Sequence, residues 1–174
     1  MGGSDPHSGP VGVTGAGVTP RFVVDTMLGR LARWLRAMGY DTLYPGQADD
    51  RHLLQLARGE ERILVTRDRM LARLAEPRSC LIHTEPVDDQ VLEAVERLAL
   101  SPDDDQWLSR CLECNERLER QARESLQGLV PEHVFATHSD FMRCPGCARI
   151  YWAGSHADRM IERLARLLAR VDRR

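Results

Sequence analysis

Four cysteines in the second half of the chain have the spacing of two metal-binding knuckles. They are Cys111, Cys114, Cys144 and Cys147. Two residues between paired thiolates let one segment present both sulfurs to a tetrahedral ion, and two such segments complete a four-sulfur zinc site. Disulfides or one redox dithiol are the alternatives, but we expect a reducing compartment because the sequence has no export signal. We therefore predict structural zinc, since a closed four-thiolate site leaves no position open for substrate.

The other candidate chemical groups are acids that follow the predicted strands of the first half. In a parallel sheet the functional crevice lies beyond the carboxyl ends of the strands. Carboxylates gathered there repel one another unless cations lie between them, and their hard oxygens suit Mg²⁺ or Mn²⁺. The acids at these positions are Asp25, Asp49, Asp50, Asp68, Glu85, Asp88 and Asp89.

Several of these acids also suit purely structural roles. Asp50 and Asp68 could cap helices, and Asp88 and Asp89 could be solvated acids in the first turn of a helix. Asp25 is the least readily explained in this way, because it emerges directly from an apolar strand at the edge where active sites lie. The presence of acids after all four predicted strands is therefore stronger evidence for a cation site than any single acid.

The strands and helices that position these groups are predicted from apolar spacing and from glycine and proline punctuation. The predicted strands cover residues 21–24, 41–44, 62–65 and 80–83, and the predicted helices cover 28–38, 50–59, 69–75 and 87–100. Strands that alternate with helices predict an α/β fold in which helices flank a parallel sheet.

The length of 174 residues suits one α/β domain and a small metal-stabilised module. The predicted division is a disordered Gly- and Pro-rich leader (1–20), an α/β domain (21–100), a linker (101–108), and a zinc ribbon with a C-terminal helix (109–174). No segment approaches the roughly 20 apolar residues that cross a bilayer, so we expect a soluble, cytoplasmic protein.

Composition excludes some functions, because all 24 basic residues are arginine. The absence of lysine removes a Walker-type phosphate site, Schiff-base chemistry and a lysine-assisted phospho-aspartate. Residues 1–105 contain 12 arginines and 17 acids, whereas residues 106–174 contain 12 and 9. The acidic first part fits a divalent-cation site, and the basic second part fits an anionic polymer.

Four separated sequence motifs lie within residues 21–165. They begin at Phe22-Val-Val-Asp25, Arg62-Ile-Leu-Val-Thr66-Arg67-Asp68, Ser109-Arg110-Cys111 and Cys144-Pro-Gly-Cys147. In this combination the chain resembles the Mut-seven C-terminal ribonuclease family, a branch of the PIN-like nucleases with an appended zinc ribbon. The resemblance implies a PIN-like parallel sheet flanked by helices, followed by a zinc ribbon and a C-terminal helix.

The resemblance also implies metal-dependent hydrolysis of RNA phosphodiester bonds. Asp25 matches the first acid of the family, and Asp68 matches the acid of its Thr-Arg-Asp motif. We choose Asp50 for the intervening acid, with Asp49 as its close rival. The fourth acid stays open among Glu85, Asp88 and Asp89. These carboxylates would hold one or two Mg²⁺ or Mn²⁺ ions that activate water and neutralise charge on the phosphate.

Guanidinium groups surround the proposed cleft and provide candidate contacts to RNA phosphates. The candidates are Arg30, Arg33 and Arg67, and Arg36 is a weaker one because it lies farther around its helix. The alternative is that these arginines pair with local acids.

Other classes of protein share parts of this pattern. A noncatalytic RNA-binding adaptor would keep the basic surface and the ribbon but would hold no metal at the acids. A DNA-directed nuclease also stays open, because nothing in the sequence recognisably reads a 2′-hydroxyl group. A phosphatase places Asp-x-Asp after its strand, whereas this chain has Asp25-Thr26-Met27. A dithiol oxidoreductase uses one Cys-x-x-Cys at a helix start, whereas these knuckles occur as a pair outside the α/β pattern.

Overall fold

A four-stranded parallel sheet lies at the centre of the computed structural model, which describes residues 19–171 and 173. Its strands are β1 (Arg21–Val24), β2 (Asp41–Leu43), β3 (Ile63–Thr66) and β4 (Ser79–Leu81), in the order β2-β1-β3-β4. The predicted α/β fold with a parallel sheet is confirmed. Most of the predicted disordered leader, residues 1–18, lies outside the described residues.

The order of the strands creates a topological switch point between β1 and β3. The chain passes from β1 to its neighbour β2 and then crosses over to β3 on the opposite side of β1. Loops that leave β1 and β3 at their carboxyl ends therefore diverge and open a crevice between them. The first and third strands consequently decide which side chains line this crevice.

Helices cover both faces of the sheet. They are α1 (Gly29–Ala37), α2 (Asp50–Gly59), α3 (Arg69–Leu74) and α4 (Val87–Arg97). Side chains alternate along β1, so that Phe22 and Val24 pack with α1 and α4, while Val23 packs with α2 and α3. Because both faces are buried, the two central strands, β1 and β3, are mostly apolar and do not alternate with polar residues.

The predicted linker packs against the end of α1. Gly39 has a φ of +90°, and a Cβ there would lie 2.7 Å from the backbone oxygen of Gln106. The N–H of Leu108 donates to the carbonyl of Ala37 over 2.8 Å. Glycine is required at position 39 both for its left-handed conformation and for this close approach. The segment before the first knuckle is thereby anchored to the α/β part of the chain.

The second part of the chain contains a three-stranded antiparallel sheet. Its strands are β5 (Glu119–Gln121), β6 (Phe141–Arg143) and β7 (Ile150–Trp152). The short helix α5 (Glu132–Thr137) lies between the two knuckles. Leu126, Val130, Val134 and Phe141 form a small apolar core here. That core explains the long spacing between the knuckles, because the inserted segment packs on itself.

The long C-terminal helix α6 (Ser155–Val171) returns to α4. Leu164 and Leu167 are buried in the same core as Phe22. Arg163 bonds Asp88 over 2.6 Å, and its guanidinium lies 5.2 Å from the ring centroid of Trp34. The predicted domain boundaries stay a prediction, but the helix after the ribbon shares the core of the first sheet. None of the described helices has the length and apolar character that a membrane span needs.

Candidate active site and metal centre

Asp25 lies at the carboxyl end of β1, where it is only 7% exposed. Its N–H continues the ladder to Val65 over 3.0 Å, after which the chain turns into a short 3-10 helix, Thr26–Leu28. One carboxylate oxygen, Oδ1, accepts the N–H of Thr26 over 2.6 Å. The other, Oδ2, accepts the hydroxyl of Thr66 over 2.7 Å. The carboxylate is held rigidly at the switch point between the two central strands.

Thr66 connects Asp25 to Asp68. Its hydroxyl is fully buried and, while it donates to Asp25, it accepts the N–H of Asp68 over 3.0 Å. Asp68 caps α3, because its Oδ1 accepts the N–H groups of Met70 and Leu71 over 2.6 and 2.9 Å. Its Oδ2 makes no hydrogen bond within the described part of the chain. Helix capping therefore uses one carboxylate oxygen of Asp68 and leaves the second available to bind a cation.

Asp49 and Asp50 open α2, at the same edge of the sheet. The side chain of Asp49 caps the helix, since its Oδ1 accepts the N–H of His52 over 2.8 Å. Asp50 is exposed and pairs with no other described residue. The loop that leads to them is tied to the Asp25 turn, because the Tyr44 hydroxyl donates to the Thr26 carbonyl over 3.0 Å. The choice of Asp50 over Asp49 stays a prediction.

The three acids considered for the fourth position differ in their partners. Glu85 pairs with Arg67 over 3.2 Å. Asp88 bonds Arg163 of α6, and Asp89 has no ion pair within residues 19–171. Among the described residues, only the four knuckle cysteines form a group of three or more potential ligands within 4.8 Å of one another. The acids lie at one edge without forming such a group.

The arginines predicted to contact phosphate have different surroundings. Arg33 pairs with Glu113 over 3.3 Å, and Arg67 pairs with Glu85. Both pairs are accessible to solvent, although Arg67 itself is half-buried. Such pairs contribute little stability, so a phosphate could replace either carboxylate. Arg30 is exposed and makes no ion pair with the rest of the described chain. Their role as RNA contacts stays a prediction.

Arg36 has a structural role that its place in the sequence did not reveal. It is 4% exposed, and its Nε donates to the carbonyl of Thr42 over 2.9 Å. Its Nη1 donates to the carbonyls of Leu112 and Glu113 over 2.9 and 2.8 Å. Burial lowers the pKa of this guanidinium, although nearby acidic groups oppose the shift. Arg36 thus joins α1 and β2 to the first knuckle and cannot reach a substrate.

The four cysteine sulfurs converge within 4.8 Å of one another. The Sγ atoms of Cys111 and Cys147 are 3.6 Å apart, and those of Cys114 and Cys144 are 3.2 Å apart. A tetrahedral zinc ion with bonds of about 2.3 Å separates its sulfurs by about 3.8 Å. No disulfide links these residues. The donor set and its spacing therefore fit a structural metal ion such as zinc.

Electrostatics supports a cation at this centre. Burial would raise the pKa of the Cys111 thiol, but hydrogen bonds from the Tyr151 hydroxyl and from backbone N–H groups lower it to about 6. Burial and the neighbouring sulfurs raise the pKa of Cys114 to about 12. Four negative sulfurs at this spacing repel one another, so only a cation allows all of them to ionise together.

The two knuckles have the same backbone geometry. The N–H of Cys111 donates to the carbonyl of Glu116, and that of Cys144 donates to Arg149, over 2.8 and 2.9 Å. The residue after each second cysteine has a positive φ, +75° at Asn115 and +59° at Ala148. This equivalence indicates one metal site built from two like halves.

The sequence did not predict the contacts that three side chains make here, those of Thr66, Tyr151 and Asn115. The position of Thr66 could have been inferred to matter, because Thr66 is the first residue of the Thr-Arg-Asp motif that ends in Asp68. No local pattern marks Tyr151 or Asn115, whose partners lie far away along the chain.

A family model described as the Mut7-C RNAse domain matches residues 20–164, which include both sheets and all four knuckle cysteines. Searches of curated proteins and of solved structures returned no match.

Proposed function

The chain belongs to the Mut7-C RNAse domain family, and from that premise we propose that it hydrolyses RNA phosphodiester bonds with a divalent cation held by aspartates. The observation that carries the proposal is the linkage of Asp25 to Asp68 through the Thr66 hydroxyl at the switch point. Ligands of open α/β sheets bind at this position.

The carboxylates fit Mg²⁺ or Mn²⁺ by their chemistry. Magnesium keeps several waters and is usually held by one or two carboxylates together with substrate phosphates, so a full cage of protein ligands is not needed. Asp25 and Asp68 would hold the ion, and Asp50 would contribute from the start of α2. When bound, the ion would supply an activated water and would neutralise charge on the phosphate.

The residues around the acids support this role. Thr66 fixes the Oδ2 atom of Asp25, while the N–H and hydroxyl of Thr26 fix its Oδ1 atom. A carboxylate that is already oriented needs little rearrangement when it binds an ion. Arg30 has no ion pair among the described residues and would be available to bind a phosphate. Arg67 would exchange its highly exposed partner Glu85 for a phosphate.

End-labelled RNA provides the test. Purified protein is incubated with structured and unstructured RNAs, with Mn²⁺ and without it. We expect cleavage by the wild type only with Mn²⁺, and none by Asp25→Asn. Equal cleavage by both proteins, after contaminating nucleases are removed, would refute the assignment. RNA binding without cleavage would favour the noncatalytic adaptor, and equal cutting of single-stranded DNA would widen the substrate class.

A further inference from the structure

Two methionines lie at the edge of the sheet that carries the candidate acids. Met27 is 64% exposed and Met70 is 63% exposed, the highest values among the exposed large apolar residues of the described chain. Single exposed apolar residues are ordinary on protein surfaces. The unusual feature is their placement, since each lies two residues beyond a candidate acid, Asp25 or Asp68.

Backbone geometry holds both methionines beside the acid pair. Met27 lies in the 3-10 turn whose first N–H bonds Asp25 over 2.6 Å. Met70 donates its own N–H to Asp68 over 2.6 Å. Because Thr66 joins the two acids, Met27 lies beyond β1 and Met70 beyond β3, one on each flank of the switch point.

An exposed arginine lies close to each methionine in the sequence. Neither residue belongs to an apolar cluster of the described chain. Arg69 precedes Met70, and Arg30 follows Met27 by three residues; both arginines are exposed and have no ion pair within the described ranges. Surfaces that bind single-stranded nucleic acid combine positive charge along the backbone with side chains that stack on the bases, most often aromatic ones.

We propose that Met27 and Met70 pack against unpaired bases on either side of the phosphate presented to Asp25 and Asp68, so that the site takes single-stranded RNA. The inference rests on the proposed ribonuclease function. A thioether side chain adapts to aromatic faces and makes favourable sulfur–ring contacts. Every base has such a face, so the contact tolerates different sequences. In a duplex the faces are stacked on neighbouring pairs and are not available.

Methionine-methyl NMR tests this contact independently of cleavage. The protein is labelled with methyl-¹³C methionine and titrated with a short single-stranded RNA without added Mg²⁺ or Mn²⁺. Ring currents should move the Met27 and Met70 methyl signals upfield, whereas Met142 and Met160 serve as internal controls. Assignments come from Met27→Leu and Met70→Leu. The same RNA with abasic central positions, and an RNA duplex, should leave the two signals in place.

Binding measurements give the matching functional result. Met27→Ala combined with Met70→Ala should weaken single-stranded RNA binding about tenfold. Leu129→Ala, which truncates a comparably exposed apolar residue in the second part of the chain, should not change it. The inference is overturned if RNA does not bind, if the two methyl signals stay in place, or if abasic RNA moves them equally. Cleavage with Mn²⁺ is measured separately. Methyl signals that move without any cleavage would refute the proposed nuclease activity but not the contact between the methionines and the bases.

Discussion

The side-chain carbonyl of Asn115 accepts the backbone N–H of Thr42 over 2.8 Å, across 73 positions of sequence. Thr42 lies in β2, the edge strand of the parallel sheet, and Asn115 directly follows the second cysteine of the first knuckle. The Asn115 amide also donates to Asp41 over 2.8 Å. The knuckle therefore covers an edge that would otherwise present unpaired backbone groups. Together with the bonds of Arg36 to the same knuckle, this contact couples metal binding to the α/β fold.

Loss of the metal should destabilise the whole fold and not the ribbon alone. We expect Cys144→Ser to lose bound zinc and to lower the temperature of a single unfolding transition, because the first knuckle would no longer hold Asn115 against β2. Zinc content by elemental analysis and calorimetry measure the two effects. Cys80→Ala is the control, since it removes a buried cysteine outside the cluster and should retain zinc. A separate ribbon transition with an unchanged main transition would contradict the coupling.

Asn115→Gly separates hydrogen bonding from backbone conformation. Glycine keeps the positive φ but removes the bonds to Thr42 and Asp41, so we expect a loss of about 2 kcal/mol in the free energy of unfolding. Ala148→Gly changes the equivalent position of the second knuckle, where no side-chain hydrogen bond exists, and should be nearly neutral. Chemical denaturation compares the two variants. Similar effects at both positions would show that the amide of Asn115 contributes nothing specific.

Thr66→Val should lower activity or metal affinity strongly while it changes the stability of the fold little. Valine has the shape of threonine but cannot donate to Asp25 or accept from Asp68, so we expect activity or metal affinity to fall by about 10- to 100-fold. Thr66→Ser restores the hydroxyl and should recover most of the loss. The Mn²⁺ concentration for half-maximal cleavage is the measurement. Equal activity of the valine and serine variants would exclude a positioning role for the hydroxyl.

Two substitutions of Asp68 distinguish metal binding from helix capping. Asparagine caps helices about as well as aspartate, so Asp68→Asn should abolish Mn²⁺-dependent cleavage with little change in stability. Asp68→Ala should also abolish cleavage but should lose about 1 kcal/mol of stability with the cap. Asp49→Asn is the matched control, because Asp49 caps α2 and should keep full activity. An inactive Asp49→Asn protein would instead favour Asp49 as the intervening acid.

The charge of Asp41 should make stability depend on pH. Burial would raise its pKa, but hydrogen bonds from Arg62 and Asn115 outweigh this and hold the pKa below the ordinary value of 3.8. A carboxylate with a lowered folded pKa stabilises the protein above its unfolded pKa and loses this contribution as the pH falls through the folded value. Asp41→Asn should therefore cost about 2 kcal/mol near neutral pH and progressively less below pH 4. A difference that stays constant between pH 7 and pH 3 would contradict this account.

Local patterns in the sequence were sufficient for most of the elements. All four parallel strands and their helices fall within a few residues of the predicted positions, because apolar periodicity and glycine punctuation act over short distances. Boundaries differed where tertiary bonding extended a strand: β3 was predicted to end at Val65 but includes Thr66, whose N–H and C=O continue the ladder with its neighbours. The cysteine spacing likewise predicted a cluster, since each knuckle needs only four consecutive residues.

The local units could all be predicted from the residues alone: the order of strands and helices, the two knuckles, and the acids at the strand ends. Which distant groups meet became clear only from the packing of the folded chain. This packing placed Thr66 between Asp25 and Asp68, buried Arg36 against the first knuckle, and set Asn115 on β2. These hydrogen bonds depend on how whole elements pack against one another, so the spacing of residues along the chain does not identify the partner of a buried polar group.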